Sequence, residues 1–293
     1  MILKRSTAKK YYSLTKPGVL YGNVITGVAG FLLAAGHFKR FDLGLFVAAI
    51  GGMTLVIASA CVLNNYLDRD IDRIMERTKS RAVASGAIGG RGAVLFSMVL
   101  GVLGVAVLAL FVNWLVVAIG VIGFVDYVWL YGALAKRRSP HGTLVGSVSG
   151  AMPILAGYVA VADRLDIAAL LIFLALSFWQ LPEFYSISIY RRKEYKAAGV
   201  PVISVVNGVD NTVKQIFVYT LLFATASLLL TPSDYTGLVY FVIMALFDAY
   251  WLRLAAQGLT TSNKEAWARR MFHASLIVLI VFSVMLAVGP LLP

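Results

Sequence analysis

Along this chain, runs of about twenty apolar residues alternate with short polar connectors. The runs fall at roughly 18–36, 43–65, 92–111, 114–134, 143–161, 166–189, 213–231, 235–254 and 271–291. Each is too long for a buried strand, and each is about the length at which an α-helix crosses a bilayer. The pattern predicts an all-α polytopic membrane bundle of about nine transmembrane helices. These form one integral-membrane domain over residues 1–293, without internal repeat, low-complexity tract or separate soluble unit.

Composition supports this pattern. Of the 293 residues 60% are hydrophobic and only 14% are charged, against about 25% charged in soluble domains. Such a chain cannot cover a water-facing surface. The net charge is +12, but the basic residues sit in short loops between apolar runs, which argues against nucleic acid as the partner. With nine spans, 23 of the 26 Lys and Arg fall on one side, and only Lys39, Arg40 and Arg164 fall on the other. The positive-inside rule then predicts a cytoplasmic N-terminus and an external C-terminus. The longer, more polar connectors lie on the cytoplasmic side, where a site is expected. Cys61 is the sole cysteine, which excludes an intrachain disulfide.

The second run ends in Asn64-Asn65-Tyr66-Leu67-Asp68-Arg69-Asp70-Ile71-Asp72-Arg73. Asn64, Asp68 and Asp72 are spaced i, i+4, i+8, so a continuing helix places three oxygen side chains on one face and turns Asp70 away. Acids at a helix C-terminus oppose the macrodipole, and like charges four apart repel. The pattern is therefore a poor stability device but suits Mg²⁺ held by carboxylates together with substrate phosphates. Arg77, Lys79 and Arg81 follow at once and could neutralise a diphosphate.

This Asn-x3-Asp-x3-Asp motif, followed by Glu76-Arg77-Thr78, resembles the first aspartate-rich motif of the UbiA-type intramembrane prenyltransferases. Within them the run is most similar to members that farnesylate protoheme. The likeness extends through Leu14-Thr15-Lys16-Pro17-Gly18 with Asn23, Lys136-Arg137, Gly142-Thr143 to Gly150 with Pro153 and Gly157, Trp179-Gln180-Leu181-Pro182, and Tyr195 to Val202. It implies a transferase that joins the farnesyl group of farnesyl diphosphate to a vinyl group of protoheme IX, with addition of water, in heme O biosynthesis. Asn64, Asp68 and Asp72 would be the catalytic metal–diphosphate ligands. Asp70, Arg77, Lys79 and Arg137 would belong to the phosphate shell, and Glu183, Tyr190, Glu194 and Tyr195 to the rest of the substrate site. A heme A synthase or terminal oxidase is the protein partner this reading leaves open.

The sequence departs from the family pattern at two positions. Glu183 stands where the family has His after Trp-Gln-x-Pro, and Glu194 stands where it has Asp. The three histidines, His37, His141 and His273, are read as interfacial side chains rather than ligands. Asp126 and Asp248, inside apolar runs, fit helix–helix contacts as well as sites. Two rival readings remain: a sister prenyltransferase acting on a quinone precursor, and a transporter, which would call for inverted repeats and broken helices.

Overall fold

In the computed structural model, which describes residues 7–293, the chain is all-α. Lys4 and Arg5, counted above among the basic residues, lie outside the described residues. Nine long helices follow in order: α1 (Pro17–His37), α2 (Leu43–Leu67), α3 (Gly90–Phe111), α4 (Trp114–Arg138), α5 (Gly142–Ala162), α6 (Ile167–Tyr190), α7 (Val209–Leu228), α8 (Leu238–Thr260) and α9 (Lys264–Val288). Eight are long and apolar enough to cross a membrane. The exception is α7, whose first two turns carry Asp210, Asn211, Lys214 and Gln215 and so dilute its apolar stretch. The helices α8 and α9 run longer toward the basic connectors than their apolar runs, because helical backbone continues through amphipathic sequence such as Lys264–Arg270.

Local chemistry explains where helices begin. The side chains of Asp42, Asn113, Asp166 and Asn263 each accept a hydrogen bond from the backbone N–H three residues on, at 2.8, 2.8, 3.1 and 3.1 Å. These N-caps satisfy donors that would otherwise be orphaned. Pro17 opens α1, where its missing N–H costs nothing. Pro153 and Pro182 lie inside α5 and α6, as membrane helices tolerate when neighbours re-satisfy the backbone.

One departure from the α-period is pronounced. Residues Asp126–Ala135 of α4 form a π-helix, in which each turn takes in more residues than an α-turn. The side-chain facing at the basic end of α4 is thereby reset.

The helix α1 packs on α5 and α9, and α2 packs on α3; α6 is flanked by α5, α7 and α9. The α1–α5 crossing is the tightest. A Cβ on Gly157 would lie 2.0 Å from the Gly27 carbonyl oxygen, and one on Gly30 would lie 2.0 Å from the Ile154 carbonyl oxygen. Small residues at this crossing let the backbones touch, the usual basis of helix association in lipid. Asp126 accepts from the Ser149 N–H of α5 at 3.0 Å, and Asp248 accepts from the Ser227 hydroxyl of α7 at 2.7 Å. Both carboxyls serve helix–helix contacts.

Candidate active site

The three oxygen side chains meet at the basic-connector end of the bundle. The helix α2 stops at Leu67, and a short helix, Arg69–Ile74, begins after Asp68. The axis breaks there, but the Asp68 N–H still donates to the Asn64 carbonyl (2.9 Å) and the Asp72 N–H to the Asp68 carbonyl (2.8 Å). The i, i+4, i+8 register therefore survives, and Asn64, Asp68 and Asp72 all turn into one cavity and are buried. Asp70 points out and forms a two-pronged ion pair with Arg137, both contacts at 2.7 Å. Arg137 also donates to the Leu67 carbonyl at 2.7 Å. The guanidinium thus clasps the break in α2, and it holds the Asp70 carboxyl well below the usual carboxylate range.

Each oxygen ligand has a basic partner from a different part of the chain. Lys16, just before α1, donates to Asn64 Oδ1. Lys136, at the end of α4, donates to Asp68 Oδ2 at 2.6 Å. Arg81, from the connector between Arg69–Ile74 and α3, binds both Asp72 oxygens at 2.9 and 2.8 Å. Burial pulls the Lys16 ammonium down to about 8. Asp68 Oδ1 and Asn64 Nδ2 are buried without a partner. An orphaned carboxylate oxygen in a cationic surround marks a place where a ligand would complete the bonding.

Among the described residues no three His, Cys, Asp or Glu side chains converge as a ready-made cage for Mg²⁺. Two carboxylates and an amide on one face, with Asp68 Oδ1 free, do fit an ion that keeps most of its shell for water and substrate phosphate. Lys16, Lys136 and Arg81 surround the same oxygen face.

The cavity holds about 470 Å³. Beyond the charged end its wall becomes apolar, with Met53, Val56, Leu108, Ile119, Phe124 and Met152. Of the residues predicted from sequence, Asn64, Asp68, Asp72, Arg77, Glu183 and Tyr195 line it. The others stand elsewhere. Lys79 is exposed and paired with Glu76 at 2.5 Å. Asp70 and Arg137 form the clasp. Tyr190 packs on Phe272 between the guanidinium groups of Arg191 and Arg269. Glu194 pairs with Arg191 at 2.8 Å. None of the three histidines lines the cavity; His37 lies against Phe38 and Tyr235.

Sequence reasoning gave Lys16 and Lys136 no role at this site and set Arg81 behind its neighbours. Lys136 and Arg137 are adjacent, and only the π-helical turn decides which of them faces Asp68.

The UbiA prenyltransferase family profile matches residues 23–277. The chain is 44% identical over 280 residues to a protoheme IX farnesyltransferase of Yersinia enterocolitica, covering 96% of this chain and 94% of that one. It is 42% identical over 285 residues to the enzyme of the same name from Photorhabdus laumondii, covering 97% and 96%. The fold is similar to that of a digeranylgeranylglyceryl phosphate synthase, with a TM-score of 0.82, 22% identity, and 98% and 99% of the two chains covered. It is also similar to a UbiA homologue from Archaeoglobus fulgidus solved with GPP and Mg²⁺, with a TM-score of 0.69, 16% identity, and 95% and 99% covered. This multi-pass membrane protein thus belongs to the UbiA prenyltransferase family, on the branch of the protoheme IX farnesyltransferases.

Proposed function

We propose that this chain transfers a farnesyl group from farnesyl diphosphate to a vinyl group of protoheme IX, water adding to the same vinyl, to give heme O and diphosphate. The observation that carries the reading is the cavity itself, with buried carboxylates and the cations Lys16, Arg77, Arg81 and Lys136 at one end and apolar side chains beyond. An allylic diphosphate has the same division of character. The two relatives reported above support farnesyl as donor and protoheme as acceptor. The concentration of Lys and Arg at the site end of the bundle supports a cytoplasm-facing site in a bacterial inner membrane.

Asn64, Asp68 and Asp72 would hold Mg²⁺ with the diphosphate, a reading supported by a similar fold having been solved with GPP and Mg²⁺ bound. When bound, the ion supplies Lewis acidity that stabilises charge on the leaving diphosphate. Lys136 and Arg81 pass from their carboxylate partners to phosphate oxygens, adding hydrogen bonds that strengthen as the C1–O bond breaks. Lys16 does the same from Asn64. The Asp70–Arg137 clasp keeps the broken helix end in register. The apolar wall takes the isoprenoid tail and keeps water from C1 while the allylic cation exists.

Membranes carrying the protein, given protoheme, farnesyl diphosphate and Mg²⁺, are expected to form a heme whose mass has grown by a farnesyl group plus a hydroxyl. A chelator should abolish the adduct, and readdition of Mg²⁺ should restore it. A wild type that prenylated only a phenolic quinone precursor would transfer the reading to that sister activity. For Lys136→Met, loss of a charge-assisted hydrogen bond worth roughly 1.5–3 kcal/mol predicts a KM for farnesyl diphosphate raised by about 10–100-fold. Initial rates against diphosphate concentration test this, and an unchanged KM would remove Lys136 from the phosphate shell.

A further inference from the structure

Among the described residues one carboxyl that lines the cavity, Glu183, is not used by the diphosphate end. Along α6, residues Leu176, Trp179, Gln180, Glu183 and Phe184 share one face by helical spacing and line the cavity. Among the polar groups α6 presents there, Trp179 donates to the Ser275 carbonyl at 2.9 Å. Gln180 donates to the Ser147 and Leu176 carbonyls at 3.2 and 3.0 Å, and Ser188 donates to the Tyr185 carbonyl at 2.8 Å. Glu183 has neither a hydrogen bond nor an ion pair: Lys16, Lys136 and Arg81 are taken by Asn64, Asp68 and Asp72, and Arg77, which also lines the cavity, is not paired with it. A carboxyl within a membrane span is costly to insert, so one left without a partner on a cavity wall is a functional group by default.

Its depth gives it a task. Glu183 lies seven residues before the end of α6, roughly 10 Å into the bundle at 1.5 Å per residue. Asp68 and Asp72 lie at and past the end of α2. The carboxyl therefore stands on a different wall of the same cavity from the diphosphate ligands, set back from the end of its own helix.

We propose that Glu183 is the base of the water-addition step. The proposal rests on the protoheme reading given above. In that reaction the vinyl π electrons form the new bond to farnesyl C1, while the C1–O bond breaks and its electron pair leaves with the diphosphate. Positive charge is left on the vinyl carbon attached to the porphyrin. Glu183 accepts a hydrogen bond from a water molecule beside that carbon. The water oxygen bonds to the carbon as its proton passes to the Glu183 carboxylate, giving the alcohol. The negative charge also favours the cation, so the carboxylate acts on both reactants. Without a base placed for water, the same cation has a second exit: loss of a proton from the adjacent CH₂ gives an alkene one water lighter.

The test is the product ratio, which does not depend on how much variant folds. Wild type, Glu183→Gln and Glu183→His membranes would be given protoheme, farnesyl diphosphate and Mg²⁺, and the heme products separated by mass. Positioned general bases contribute about 10²–10⁴-fold. The ratio of hydroxylated to dehydrated adduct is expected to fall by at least about 10²-fold in Glu183→Gln and to recover in Glu183→His, whose imidazole also accepts a proton. An unchanged ratio in Glu183→Gln, with wild type making the hydroxylated adduct, would overturn the assignment while leaving the farnesyl-transfer reading intact. Loss of every adduct in Glu183→Gln would make the carboxyl a substrate-binding group and would also overturn it. If wild type made no heme adduct of either mass, the protoheme reading itself would fall, and this proposal with it.

Discussion

Replacing Asp68 with Asn is expected to lower kcat/KM for farnesyl diphosphate by about 10²–10³-fold, the scale seen when one preorganised electrostatic contact to a developing charge is lost. Asp68 is the centre of the site. It is fully buried, its Oδ2 holds Lys136, and its Oδ1 has no partner. Asn preserves the shape and one oxygen but removes the negative charge that draws the divalent ion and orients the ammonium. Either variant leaves the Lys136 ammonium without its carboxylate partner, but Ala also removes the remaining oxygen and leaves a cavity. Asn is for that reason the cleaner probe. Activity titrated against Mg²⁺ at saturating farnesyl diphosphate should show a right-shifted metal dependence in Asp68→Asn, with a thermal melt nearer to wild type than that of Asp68→Ala. A variant with unaltered metal dependence would show that the ion, if needed, sits elsewhere.

Gly157→Ala should strongly destabilise the folded protein. At an ordinary helix-interior position Gly→Ala stabilises by roughly 0.5–1 kcal/mol. Position 157 reverses the sign, since the new methyl would stand 2.0 Å from the Gly27 carbonyl oxygen. The neighbour is backbone and cannot rotate away, so α1 and α5 must part. Overpacking of this kind costs about 1–3 kcal/mol and occasionally more, a large share of a typical stability of about 5–15 kcal/mol. Parting the helices would also draw Lys16, at the head of α1, away from Asn64. A fall in Tm of several degrees in detergent, with a loss of activity in step, is expected for Gly157→Ala. Gly51→Ala, where a Cβ would meet nothing within 4 Å, supplies the matched control. Equal melting of the two variants would mean the crossing is looser than described.

Most of the architecture was legible in the chain because membrane spans are written in length and hydropathy. Nine apolar runs became nine long helices, and even the weak one, α7, was readable despite its polar first turns. The acidic face was equally legible. The i, i+4, i+8 spacing of Asn64, Asp68 and Asp72 depends only on local backbone hydrogen bonds, and those persist across the break at Asp68. For the same reason Asp70 was correctly turned away, into what proved to be the Arg137 clasp.

Which cations face that acidic surface was not legible, because long-range contacts decide it. Lys16, Arg81 and Lys136 come from three segments, and nothing in their local sequence distinguishes Arg81 from Arg77 or Lys136 from Arg137. The connector brings Arg81 to Asp72, and the π-helical stretch of α4 turns Lys136 inward. Tyr190 and Glu194 were placed in the site by resemblance, and the structure puts them beside Arg191, off the cavity. The sequence by itself determined the helices, their number and the oxygen face at the end of α2, because these follow from periodicity and local hydrogen bonding. Only the tertiary structure decided the cationic partners, the cavity and the unpartnered position of Glu183, because each arises where distant helices pack and low local dielectric sets which charges must pair.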